Sequence, residues 1–93
     1  MSKTIFITGA GHGFGRGMAL GLARQGHRVI ASAQIRPQVW DLTEEAKRQG
    51  IELEVIKLDL RDPIDMSHAL TYDIDILVNN AGIMESGAMI EIP

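Results

Sequence analysis

Apolar residues recur along this chain in two alternating rhythms. Short runs rich in β-branched residues stop at glycine or at a polar cluster, and they read as strands at 3–8, 27–33, 51–58 and 74–78. Between them the apolar positions fall three and four apart. Met18 and Leu22 mark a first helix, Val39, Leu42 and Ala46 a second, and Met66, Ala69 and Leu70 a short third. The punctuation agrees with this reading. Arg24-Gln25-Gly26 ends the first helix, Pro37 opens the second and Gly50 closes it, and Asp62 with Pro63 supplies an N-cap and first-turn proline for the third. Strands alternating with helices predict an α/β fold, a doubly wound parallel sheet, and right-handed crossovers leave the strand order 3-2-1-4.

Some positions carry further expectations. Gly13, Gly17 and Gly21 step along the first helix as a ridge without side chains. An interior glycine costs about 1 kcal/mol against alanine, so the ridge implies close approach of that helix to the sheet and to a ligand. Trp40 is expected to pack at the edge of the second helix, with Glu44, Glu45, Lys47 and Arg48 on its solvated face. The segment 63–72 is short for a crossover and leaves part of one sheet face bare. The fourth strand is apolar on both faces and has no evident partner for its outer edge, which predicts self-association there.

Composition narrows the function classes. A length of 93 residues makes one domain, residues 1–93, expected to bury only roughly 60–65% of its unfolded surface. The net charge of −3, with nine scattered basic residues, gives no footprint for nucleic acid or an anionic membrane. No apolar run approaches the roughly 18 residues of a membrane span, and the first residues show no signal peptide, so the expected location is cytoplasmic. Without cysteine there is no disulfide, thiolate metal site or thiol nucleophile.

The chemistry concentrates at the end of the first strand, in Thr8 to Gly15, TGAGHGFG. A strand that ends in a glycine-rich turn and restarts as a helix aims backbone N–H groups, at the positive end of the helix dipole, at one point suited to a phosphate. The common dinucleotide spacing GxGxxG fits nowhere, because Phe14 or Arg16 would have to be glycine. TGxxxGxG fits at every fixed position. The end of the second strand, about 20 residues on, is where an acid would select NAD through the ribose 2′-hydroxyl. This chain has Ala33 there, followed by Gln34 and Arg36, so nothing repels a 2′-phosphate. Asp59 ends the third strand, where a carboxylate can accept from an adenine amino group, and Asn79-Asn80-Ala81-Gly82 ends the fourth.

TGxxxGxG, the intervening Asp59 and NNAG together resemble the short-chain dehydrogenase/reductases. The resemblance implies a cofactor site made by Gly9, Gly11, His12, Gly13, Phe14 and Gly15, with Gln34, Asp59, Leu60, Asn80, Ala81 and Gly82. It implies that the asparagines fasten neighbouring strand ends, and that the Ala-Gly backbone lies along the cofactor ribose. Gln34 sits where NADP-preferring relatives often carry arginine, and His12 where some are basic, so NADP is favoured over NAD. The implied activity is hydride transfer between a nicotinamide cofactor and an alcohol or carbonyl. The family's catalytic tyrosine and lysine form YxxxK, which is absent here: Ile76 stands four residues after Tyr72. Ser86 comes too early for the catalytic serine, and the tail 83–93 reads as a loop and the start of a further helix. The chain is therefore expected to be the cofactor-binding portion of an oxidoreductase, inactive alone. The alternatives are a non-catalytic dinucleotide-binding or sensor module, and a methyltransferase, since Gly9, Gly11 and Gly13 also spell GxGxG.

Overall fold

The computed structural model describes residues 2–11, 13–59, 61–69 and 71–79, and the backbone of 88–91. The chain order is β1 (Thr4–Thr8), α1 (Gly13–Arg24), β2 (Arg28–Ala33), α2 (Arg36–Arg48), β3 (Glu54–Lys57), α3 (Pro63–Ala69), β4 (Ile76–Asn79) and β5 (Ala88–Glu91). The sheet runs β3-β2-β1-β4-β5, with the first four strands parallel. The order 3-2-1-4 is as expected from the sequence.

Period-two alternation explains why both faces are covered. Ile5, Ile7, Val29, Ala31 and Val78 point to one face, where they pack with Ala19 and Leu20 of α1 and Leu42 and Ala46 of α2. Phe6 and Ile30 point to the other, where Leu58 joins them and Ala69, Tyr72, Ile74 and Leu77 pack alongside. Right-handed crossovers dictate this division: the path from β1 to β3 steps one way and puts both helices on one face, and the reversal to β4 puts α3 on the other. Among the described residues the helical cover of the second face is the two turns of α3, and Ile64 there is 69% exposed. The Asp62 cap is formed, its Oδ1 accepting from the Ile64 N–H at 2.9 Å.

Five expectations are corrected. Strand β5 pairs antiparallel with β4, matching Ile76 with Glu91 and Asn79 with Ala88, so the outer edge of β4 is occupied and association through it loses its premise. The segment 88–91 is thus a strand, formed by long-range pairing, where the tail suggested a helix start. A Cβ added at Gly17 or Gly21 meets no atom of the described residues within 4 Å, so the glycine ridge faces open space while Ala19 and Leu20 face the sheet. Trp40 is 63% exposed, since it stands about 200° round the helix from the buried Leu42. Glu45 also departs from a purely solvated face, as it is half-buried and bonded to Arg48, Gln49 and Arg16.

Candidate functional site

In an open α/β sheet, ligands bind outside the carboxyl ends of the strands where the strand order reverses. Here the reversal lies between β1 and β4. Thr8, the last residue of β1, is buried, and its hydroxyl donates to Asn79 Oδ1 at 3.0 Å, with the Val78 carbonyl oxygen at 3.4 Å. The two strand ends are thereby fastened. On the other side, Ala10 N–H donates to the Ser32 carbonyl at 2.7 Å, and the buried Ser32 hydroxyl donates to the Ile7 carbonyl at 3.3 Å. These bonds hold the glycine turn against the end of β2.

The turn uses glycine for two different reasons. Gly9 has φ 66° and Gly13 φ 61°, in the left-handed region where a side chain is strained. Gly11 is buried and has an ordinary φ, but a Cβ there would lie 2.5 Å from the end of the Gln38 side chain. In front of Gly13 no atom of the described residues lies within 4 Å of a would-be Cβ. The amino end of α1 is therefore open to an approaching group, and its first turn carries no acidic side chain. Open space, positive φ and a helix amino end free of carboxylates fit the pyrophosphate of a dinucleotide.

The other expected residues are distributed around this turn. Gly15 is buried in the first turn of α1, and Phe14 beside it is 59% exposed. Gln34 and Arg36 are exposed where β2 passes into α2, and Ala33, at 1% exposure, brings no charge to the strand end. Asp59 follows β3 at the same edge, but its carboxylate is engaged: Oδ1 accepts from Arg61 N–H at 3.0 Å and Nε at 3.1 Å, and Oδ2 from Nη2 at 3.2 Å. Those Arg61 bonds hold its pKa below the ordinary 3.8. Its N–H donates to Asp65 Oδ2, which also accepts from Lys57 Nζ, both at 2.9 Å. His12, Leu60, Asn80, Ala81 and Gly82 lie outside the described residues, as does Ser86.

Sequence reasoning missed Gln38 and Arg61. The spacing Asp-x-Arg at an Asx turn was a usable signal for Arg61. Gln38 had none, because it reaches Gly11 only through the packing of α2 beside the turn. Tyr72 is far from this chemistry. Its hydroxyl donates to Glu54 Oε2 at 2.6 Å at the amino end of β3, its ring meets Phe6 edge-on at 5.9 Å, and the Glu54 bond together with burial raises its pKa. A cleft of about 440 Å³ at that same end, lined by residues such as Gly26, His27, Arg28 and Glu52, contains nothing of the glycine turn.

Residues 3–93 match the family model described as short chain dehydrogenase. The chain belongs to that family. An uncharacterized oxidoreductase of Myxococcus xanthus is 38% identical over 87 residues, covering 87% of this chain and 34% of the relative. The bulky-bulky ketone specific alcohol dehydrogenase from Comamonas testosteroni superposes with a TM-score of 0.74 at 32% identity, over 94% of this chain and 38% of that one. A variant of actinorhodin polyketide ketoreductase solved with NADPH also gives 0.74, at 29% identity over 87% and 33%. The chain thus spans between about a third and two-fifths of the length of the relatives it matches. Family and fold make it part of an oxidoreductase lineage that uses nicotinamide cofactors. No helix among the described residues is long and apolar enough to cross a membrane.

Proposed function

We propose that this chain is the cofactor-binding portion of a cytoplasmic, nicotinamide-dependent oxidoreductase acting on a small alcohol or carbonyl, with NADP favoured over NAD. The observation that supports this most directly is Gly13: left-handed, open in front, and at the amino end of α1 beside the point where the strand order reverses. The N–H groups of Gly13, Phe14 and Gly15 there receive the pyrophosphate, with Gly9 and Gly11 shaping the turn. Asp59 takes the adenine amino group after exchanging its Arg61 bonds, and Asn80, Ala81 and Gly82 line the ribose. Ala33 and Gln34 present no carboxylate to a 2′-phosphate, and the NADPH-bound ketoreductase among the structural neighbours is consistent with that choice. When bound, the nicotinamide supplies the hydride; these residues bind and orient it. On this reading the 93-residue chain binds cofactor and turns over no carbonyl, since it contains no YxxxK.

The test is calorimetric titration of the full chain with NADPH, NADH and S-adenosylmethionine. Saturable binding of NADPH, weaker binding of NADH and none of S-adenosylmethionine is expected. Preferential binding of S-adenosylmethionine would overturn the reading, and tighter NADH would overturn the NADP preference.

A further inference from the structure

We propose that Gln38 is a specificity-determining residue of this site, forming the wall against which the adenosine ribose and its 2′-phosphate rest. The inference rests on the dinucleotide reading above and adds a residue to it. Two fixed points define the path of the adenosine half: the amino end of α1, which takes the pyrophosphate, and the carboxyl end of β2, which faces the ribose. The Ala10–Ser32 hydrogen bond at 2.7 Å holds those points together, and Gly11 lies between them. The end of the Gln38 side chain stands over Gly11, 2.5 Å from where a Cβ would be. It is half-buried in the first turn of α2, whose helix carries no acid in that turn.

The chemistry of an amide at this point is specific. It offers N–H donors and a carbonyl acceptor without charge, so it can bond a ribose hydroxyl or a phosphate oxygen and repels neither. With Ala33 uncharged and Arg36 two residues before it, Gln38 completes a surface that accepts a dianionic 2′-phosphate. A carboxylate at the same atoms would reverse this, because a desolvated like-charge contact is strongly unfavourable, whereas a cation would strengthen the contact.

Gln38→Glu is a near-isosteric change, and an acid in the first turn of a helix favours folding, so the variant keeps its fold. Adenosine 2′,5′-bisphosphate and adenosine 5′-monophosphate, which differ only in the 2′-phosphate, are titrated calorimetrically into the wild-type chain, Gln38→Glu and Gln38→Arg, with circular dichroism confirming the fold of each. The expected result is about tenfold or greater weakening of the bisphosphate by Glu, tightening by Arg, and changes within about threefold for the monophosphate. Wild-type binding with a bisphosphate-to-monophosphate ratio that neither variant shifts overturns the role of Gln38 and leaves the dinucleotide reading standing. Binding of neither nucleotide by the wild type overturns both.

Discussion

Alanine at Gly17 should stabilise the chain, and alanine at Gly13 should weaken it, although the chemical change is the same. Gly17 lies in the interior of α1 with nothing within 4 Å of the added Cβ, so the substitution meets no atom and removes only the entropy that glycine loses in a helix. That gain is about 0.8–1 kcal/mol, and Gly21, equally open, should give a similar or smaller gain near the helix end. Gly13 has the same open surroundings but φ 61°, where a Cβ crowds the following carbonyl at a cost of roughly 1–2 kcal/mol. The two variants should therefore differ by about 2–3 kcal/mol. In a domain of this size about 1 kcal/mol moves the thermal midpoint by roughly 4–8 °C, well within the resolution of a circular-dichroism melt, and urea titration gives the free energies directly. Loss of stability in Gly17→Ala would refute the reasoning, because it would mean that α1 approaches a neighbour at its glycine ridge. A neutral Gly13→Ala would equally refute the left-handed turn.

Gly11→Ala should cost no more than about 1 kcal/mol, because the end of the flexible, half-buried Gln38 side chain can swing aside, and even that cost should vanish in a Gln38→Ala background, as a double-mutant cycle by urea unfolding would show. Thr8→Val, which removes the bond to Asn79, should lose about 1–3 kcal/mol in the same assay, and an unchanged midpoint would show that the strand ends do not depend on it. The Asp65 pKa lies below its ordinary 3.8 because the Asp59 N–H and Lys57 bond the carboxylate. Its contribution is therefore present above that value and is lost as pH falls through the lower native pKa. Asp65→Asn should accordingly be less stable than wild type at neutral pH, and thermal melts down a pH series should converge as the wild-type carboxylate protonates; parallel curves would contradict this.

Much of the fold was legible because its signals are local. The runs around Ile5, Val29, Val55 and Leu77 alternate with helical stretches, and Asp62-Pro63 announces the start of α3 through bonds to residues close in sequence, among them Ile64 and Met66. What was not legible depends on contacts between distant segments. Ala88–Glu91 becomes a strand by pairing with β4, a choice that local propensity does not decide. Steps of four between Gly13, Gly17 and Gly21 are the same whether a helix presses on a neighbour or faces water, and only the packing of Ala19 and Leu20 settles which side meets the sheet. At the site, TGxxxGxG located the turn and its glycines, and the chain order located Asp59. The Arg61 clamp on Asp59 and the Gln38 side chain over Gly11 were the parts left out, the second because α2 meets the turn only after β2 has paired with β1.

The central claim is that a nicotinamide dinucleotide binds at the glycine turn, and amide-resolved NMR of the isotopically labelled chain titrated with NADPH tests it most directly. The account predicts progressive shifts of the backbone signals of Gly9, Gly11, Gly13, Phe14 and Gly15, with Ala33 and Gln34 following, while Gly26, His27 and Glu52 at the opposite edge of the sheet stay still. Shifts confined to Gly26, His27 and Glu52, or no shift of the glycine-turn amides at saturating NADPH, would contradict it.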